Sequence, residues 1–282
     1  MSAFKRILVV LIALVFGTVL LLGVSFAVAR QADPALSTSA AVESWELDAS
    51  QVEHIDLTIE LGRVNIVPIA GSTIKIECKY PSSDYLDNRV KVVSDRSDEN
   101  LSVRITSKRK AYFFGLIKDK ASDITISLPE EIIPSLSVKI QAGELSVGKV
   151  ELKKLEIDGD IAEIEVNNPG TASLSAISIH NNIGNISAYL SNLPEKKHAA
   201  FDAAVNIGSI DLHLETTEEQ GYELSCIYNI GMLDSKWKSS RGFGKSELIE
   251  VRGGKGAVYR LKTDLGGLSV YEDSPVDSQG DL

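Results

Sequence analysis

The chain has 282 residues, of which 44% are hydrophobic and 24% charged, with a formal net charge of −10. Setting aside Lys5 and Arg6 leaves 27 basic residues against 39 acidic ones. That balance repels phosphate polymers and argues against nucleic acid as a partner.

Residues 7–29 carry no charge and follow Lys5 and Arg6. Such a segment is long enough to cross a bilayer as a helix, and the flanking cations favour a cytoplasmic N-terminus. A cleaved signal peptide ending at Ala27-Val28-Ala29 is the alternative, although its apolar core would exceed the usual ~7–15 residues. The expected layout is a cytoplasmic stub and transmembrane anchor over residues 1–29 and a spacer over 30–44. An exported domain follows over 45–272, and then a disordered acidic tail over 273–282. This describes a single-pass protein of the cell membrane with its C-terminal domain outside.

The exported part alternates apolar and polar residues from its start. Ile55-Asp56-Leu57-Thr58-Ile59 runs into Gly62-Arg63-Val64-Asn65-Ile66, and strands are predicted at 90–93, 101–105 and 124–128, the last ended by Pro129. Between them, Lys108, Arg109, Lys110, Lys118 and Lys120 flank Tyr112-Phe113-Phe114 in a predicted loop. That loop reads either as an envelope-contacting tip or as an aromatic plug for one end of the domain. Gln141-Ala142-Gly143 opens another alternating run, and residues 155–157 with 164–166 form a degenerate copy. Asp158-Gly159-Asp160 reads as an ordinary tight turn, since it lacks the further oxygen ligands of a calcium loop.

Three copies of Asn-Ile-Gly follow, at Asn182-Ile183-Gly184, Asn206-Ile207-Gly208 and Asn229-Ile230-Gly231, with their glycines 24 and 23 residues apart. Asp264-Leu265-Gly266 begins a last copy beyond the glycine-rich stretch Arg252-Gly253-Gly254-Lys255-Gly256. Each glycine precedes apolar residues at every second position, the mark of a turn feeding a half-buried strand. The intervals are too long for two-residue hairpins and lack helical periodicity. The expected fold is therefore all-β: a single-stranded parallel β-helix, or β-solenoid, behind an N-terminal transmembrane helix. Gly62, Gly143, Gly184, Gly208, Gly231 and Gly266 mark its turns, and Asn182, Asn206 and Asn229 are expected to stack as an amide ladder.

Outward slots after these glycines hold the candidate site residues. Tyr189, His213, Lys236 and Tyr271 occupy one column, whose aromatic and polar mixture suits glycan or protein binding. Asp211 and Asp234 occupy the next column and, read one rung apart, form the carboxylate pair that a glycan-active enzyme would need. Lys236 and His213 beside them equally well offset that charge on a solvated face. Neither Gly-x-Ser-x-Gly, His-Glu-x-x-His nor a phosphate-binding glycine loop occurs. No metal or cofactor is expected. His54, His180 and His198 have no partner suggested by spacing, and His180 is expected to be solvated. Cys78 and Cys226 are expected to be buried, unpaired thiols, several rungs apart.

The first strand pair, the Ile124-Thr125-Ile126-Ser127-Leu128-Pro129 strand, the repeated glycine rungs and the closing Gly254-Lys255-Gly256 before Thr263-Asp264-Leu265-Gly266 resemble the bacterial DUF4097 family. That family is described as candidate adhesins and is similar to β-helical envelope proteins. The resemblance spans roughly residues 45–272 and implies a non-catalytic interaction or scaffold module displayed outside the membrane, with an envelope glycan or a membrane protein as partner. Some relatives accompany envelope-stress systems, which implies an accessory regulator of a membrane sensor as the alternative role. No catalytic residue is carried over.

Overall fold

The computed structural model describes residues 41–80, 90–107, 122–131, 133–167, 174–191, 200–215, 221–236, 239–252 and 256–273. These hold fourteen strands in one sheet and no helix. In chain order they are β1 (Ala41–Asp48), β2 (His54–Ile69), β3 (Thr73–Tyr80), β4 (Val90–Ser97), β5 (Asn100–Ser107), β6 (Asp123–Pro129) and β7 (Ile133–Val147). Then come β8 (Leu152–Asn167), β9 (Ala176–Ile183), β10 (Ile186–Ser191), β11 (Ala200–Glu215), β12 (Tyr222–Ser235), β13 (Ser239–Arg252) and β14 (Ala257–Asp273). The transmembrane anchor, the acidic tail and the aromatic loop over 108–120 lie outside the described residues. The first strand starts at Ala41, earlier than the expected Trp45, and the last runs to Asp273.

The centre of the molecule is a parallel stack in the order β2, β7, β8, then β9 with β10, then β11, β14 and β12. Each rung consists of a first half, a corner and a second half. Inward residues of the first halves align as Leu57, Val138, Ile157, Ile179, Ala203, Leu261 and Cys226. Those of the second halves align as Val64, Leu145, Ile164, Ile186, Ile210, Leu268 and Leu233. Every one of these is buried. A fully buried aliphatic side chain contributes about 1.5–3 kcal/mol, so the period-two pattern is what fixes the register: a one-residue slip would turn both columns to solvent.

Two features depart from the purely parallel, single-stranded coil expected from the sequence. Both ends close with antiparallel strands. β6 runs parallel to the second half of β2, but β3 and then β1 pair antiparallel beyond it, and β4 pairs antiparallel with β5. At the other end β13 folds back antiparallel on β12. The second departure is topological. β14, the last strand in the chain, lies between β11 and β12 rather than beyond them. The longer interval between Gly231 and Gly266 is occupied by β13, which carries the chain back so that β14 can fill the vacant rung.

Cys78 on β3 and Cys226 on β12 are buried, free and near opposite ends of the sheet. Burial pushes each thiol up from 9.0 to about 12. The unfolded thiols would ionise near 9, while the folded ones keep their protons to about 12. Stability is therefore retained below pH 9 and lost as pH rises through that window, by up to about 1.4 kcal/mol per pH unit for each thiol. A thiol reagent at pH 8 is expected to leave both cysteines untouched until denaturant unfolds the chain; labelling of the native protein at the free-thiol rate would contradict their placement.

Candidate functional site

The corner is set by backbone approach. Gly62, Gly143, Ala162, Gly184, Gly208, Gly266 and Gly231 stack in that order, and all six glycines have positive φ. A Cβ on Gly208 would lie 1.8 Å from the Gly184 carbonyl oxygen, and one on Gly184 would lie 2.0 Å from that of Ala162. Polar side chains just before the corner form a hydrogen-bonded ladder. Asn182 Nδ2 donates to Asp160 Oδ1 (3.0 Å), Asn206 Nδ2 to Asn182 Oδ1 (2.8 Å), and Asn229 Nδ2 to Asp264 Oδ1 (2.7 Å). The expected ladder of three asparagines is thus corrected. Asn182 and Asn206 are neighbours, but Asp264 stands between Asn206 and Asn229, because β14 occupies the intervening rung. Asp158-Gly159-Asp160 is no tight turn; it lies within β8, with Asp160 heading this ladder.

Two inward polar residues escaped the sequence reading. Asn181, fully buried, donates to the Ala162 carbonyl (2.8 Å), and Thr263 donates to the Gly208 carbonyl (3.3 Å). Each thereby satisfies its donor on a corner carbonyl oxygen inside the core, while Asn181 Oδ1 is buried without a hydrogen-bond partner among the described residues. The signal was available: Asn181 continues the inward series Ile177, Ile179.

Beyond the corner, period-two alternation sends the fifth residue after each glycine outward. Tyr189, His213 and Tyr271 therefore align on β10, β11 and β14. Their rings stack, with centroids 4.5 Å apart for Tyr189–His213 and 4.6 Å for His213–Tyr271, at interplanar angles of 17° and 22°. The tyrosines remain 41% and 46% exposed. Because the faces of His213 are covered by its neighbours, the ladder presents ring edges rather than a flat platform to solvent.

Lys236 occupies the same slot on the next rung but has another task. It pairs with the carboxylate of Glu272, which sits opposite buried Leu214 and whose side chain is only 6% exposed. A carboxylate so far out of water requires a cation. Of the four residues expected to form a binding column, the structure brings three into one stack and gives the fourth a counter-ion role.

The adjacent outward column runs Ser187, Asp211, Ser269, Asp234. Asp211 and Asp234 are both opposite Ser269, so they are two rungs apart, roughly 9.6 Å by the ~4.8 Å strand spacing. The carboxylate pair one rung apart does not exist, for the same topological reason that splits the asparagine ladder. Ser209 donates from its backbone N (3.2 Å) and its Oγ (2.9 Å) to Asn185 Oδ1. Gly267 follows in that outermost column, and a Cβ there would meet only Met232 and Ser209, at 3.7 Å or more. Gly267 and Ser269 are thus small outward residues of β14, with Ser209 and Asp211 on one side, Met232 (whose side chain leans towards Gly267) and Asp234 on the other, and Tyr271 following. Elsewhere, His54 meets Asp56 at 3.1 Å, and His180 is solvent-exposed as expected. Among the described residues no group of three His, Cys, Asp or Glu could hold a metal.

The model of the Toastrack DUF4097 family matches residues 52–221. The chain belongs to that family. The match runs from the start of β2 to the end of β11, so the ladder draws Tyr189 and His213 from the matched region and Tyr271 from strands beyond it. Among solved structures, a candidate cell adhesion protein from Clostridium sporogenes is 14% identical with a TM-score of 0.53, over 83% of this chain and 100% of that one. A candidate adhesin from Bacteroides fragilis is also 14% identical, over 84% of this chain and 100% of that one, with a TM-score of 0.30. The first likeness supports the Toastrack fold. No curated protein matches the chain.

Proposed function

We propose that this Toastrack protein is a non-catalytic interaction module of the cell envelope, held at the membrane through residues 7–29 and displaying its stacked sheet outside. The observation that carries the reading is the exposed Tyr189–His213–Tyr271 ladder, three hydrogen-bonding aromatic groups held at rung spacing on a rigid face. Similarity to a candidate cell adhesion protein supports the same reading. A rigid sheet face suits such a task, since side chains ordered before contact lose little further entropy on binding. The glycan-active alternative rests on Asp211 and Asp234 one rung apart, whereas the two stand on either side of Ser269.

The test is co-sedimentation of the full-length protein, in neutral detergent, with isolated cell-wall sacculi. Saturable binding is expected, weakened by at least about tenfold when Tyr189, His213 and Tyr271 are all changed to alanine, consistent with the ~1 kcal/mol or more that a buried aromatic contact contributes. A matched melting temperature would show that the variant remains folded. Absence of binding, or equal binding by the folded triple variant, would overturn the reading.

A further inference from the structure

The face that carries the ladder also has a charge and a period, and together these select a ligand class. Asp211 and Asp234 flank Ser269, and neither forms an ion pair among the described residues. Glu165 extends the same column beyond Ser187. Of the cations near this end of the face, Lys236 is held by Glu272, and Arg241 on β13 lies one rung further out, opposite Met232. The surface beside the ladder is therefore acidic. It repels phosphate-linked wall polymers and favours a ligand that brings ammonium groups.

The period separates polymers of that charge. Equivalent outward groups recur along the stack at the strand spacing, ~4.8 Å. An extended peptide returns a side chain to the same side only every second residue, near twice its ~3.4 Å rise, and falls out of step with the rungs. A β-1,4-linked pyranose chain advances by close to one rung per sugar. Laid along the stack axis, it would meet ladder edges and Asp/Ser groups in repeating register.

Resting on the reading of this face as a binding surface, we propose that it takes a β-1,4-linked glycan bearing free amino groups. Asp211 and Asp234 receive two ammonium groups on either side of Ser269, and the exposed edges of Tyr189 and Tyr271 bond to sugar hydroxyls. Two rungs separate the carboxylates, so the sugars they contact are two apart in the chain. Alternate sugars of a β-1,4 chain face the same way, which lets both amines point at the sheet.

The experiment titrates full-length protein in neutral detergent with a labelled β-1,4-linked glucosamine hexamer, near pH 6 and at low salt, reading fluorescence anisotropy. Binding is expected, weakened about tenfold in Asp211→Asn/Asp234→Asn and abolished in Ser269→Arg, which places a guanidinium between the two carboxylates. Asparagine is nearly isosteric and both sites are on the surface, so the double variant tests charge with the fold kept. Binding of the fully N-acetylated hexamer is expected to be weaker and indifferent to the aspartate change. Failure of the glucosamine hexamer to bind, or affinity unchanged in Asp211→Asn/Asp234→Asn, overturns the proposal. So does a lysine oligopeptide that competes as well as the hexamer. Ladder-dependent binding to sacculi without hexamer binding would remove the amino-glycan assignment and leave the envelope-module reading standing; loss of both would remove both.

Discussion

Gly208→Ala is expected to destabilise the protein by at least about 4 kcal/mol, a large part of the ~5–15 kcal/mol that holds a typical domain. The added Cβ would sit 1.8 Å from the Gly184 oxygen and 2.7 Å from its carbonyl carbon. Both are backbone atoms, so no rotamer relieves the clash. Relief requires moving β11 away from the rung beneath it. That movement would disrupt the bond from Gly184 N to the Ile207 oxygen (3.0 Å) and the amide bond between Asn206 and Asn182. The φ of +146° adds conformational strain. Two other glycines separate these causes. Gly71 has φ +112° but open space around it, so Gly71→Ala should cost only the conformational ~1–2 kcal/mol. Gly242 has neither a positive φ nor a neighbour within 4 Å, and Gly242→Ala should be close to neutral. Denaturant melts of the three variants should rank in that order. Equal losses for Gly208→Ala and Gly71→Ala would mean that rung contact at the corner does not hold the stack. Ala162 shows how the stack tolerates a methyl in this column: its rung turns the corner without a positive φ, and Asn181 binds its carbonyl.

That corner was legible in the sequence because it is local. Each of the six glycines could be found from its own few residues, since a positive φ and close approach impose glycine wherever they occur. The alternating inward series was legible for the same reason. Rung order was not. Asn206-Ile207-Gly208 and Asn229-Ile230-Gly231 have nearly the same local pattern as their neighbours, and nothing within either says which copy lies above it. The assumption that chain order is stacking order therefore placed Asn229 on Asn206, Asp234 on Asp211 and Lys236 beside His213. The displaced rung did leave a trace, in the interval of 35 residues before Gly266, which is long enough for a return strand and a new rung. Lys236 illustrates a second limit. Its slot matches that of the ladder residues, but its role depends on Glu272, an acidic residue in an inward slot of a strand whose neighbours could not be known.

Ending the chain before Ala257 is expected to be more damaging than any single substitution, because β14 completes two ladders at once. It pairs with β11 from Ala200 to Glu215 and with β12 from Tyr222 to Ser235. It buries Ala257, Tyr259, Leu261, Leu268 and Val270, caps the Gly208 carbonyl through Thr263, and supplies Asp264 to Asn229 and Arg260 to Asp202. The truncated chain has one evident refuge: β12 could dock directly on β11, since Gly208 and Gly231 suit the same corner. That arrangement sets Asp211 against Asp234 one rung apart, where like charges oppose pairing, and places Ser235 beside buried Leu212. Limited proteolysis should then cut within residues 222–252, and hydrogen exchange should lose protection in both β11 and β12. If the like-charge contact opposes the refuge, Asp234→Asn in the truncated chain should restore part of the protection, whereas the same change in the full chain should leave protection unaltered. A synthetic peptide covering residues 257–273, added in trans, should restore the whole of it by entering the vacant rung. Protection equal to that of the full chain without the peptide would show that the refuge is as stable as the native order. The late strand would then be an ornament rather than the element that sets which rungs meet.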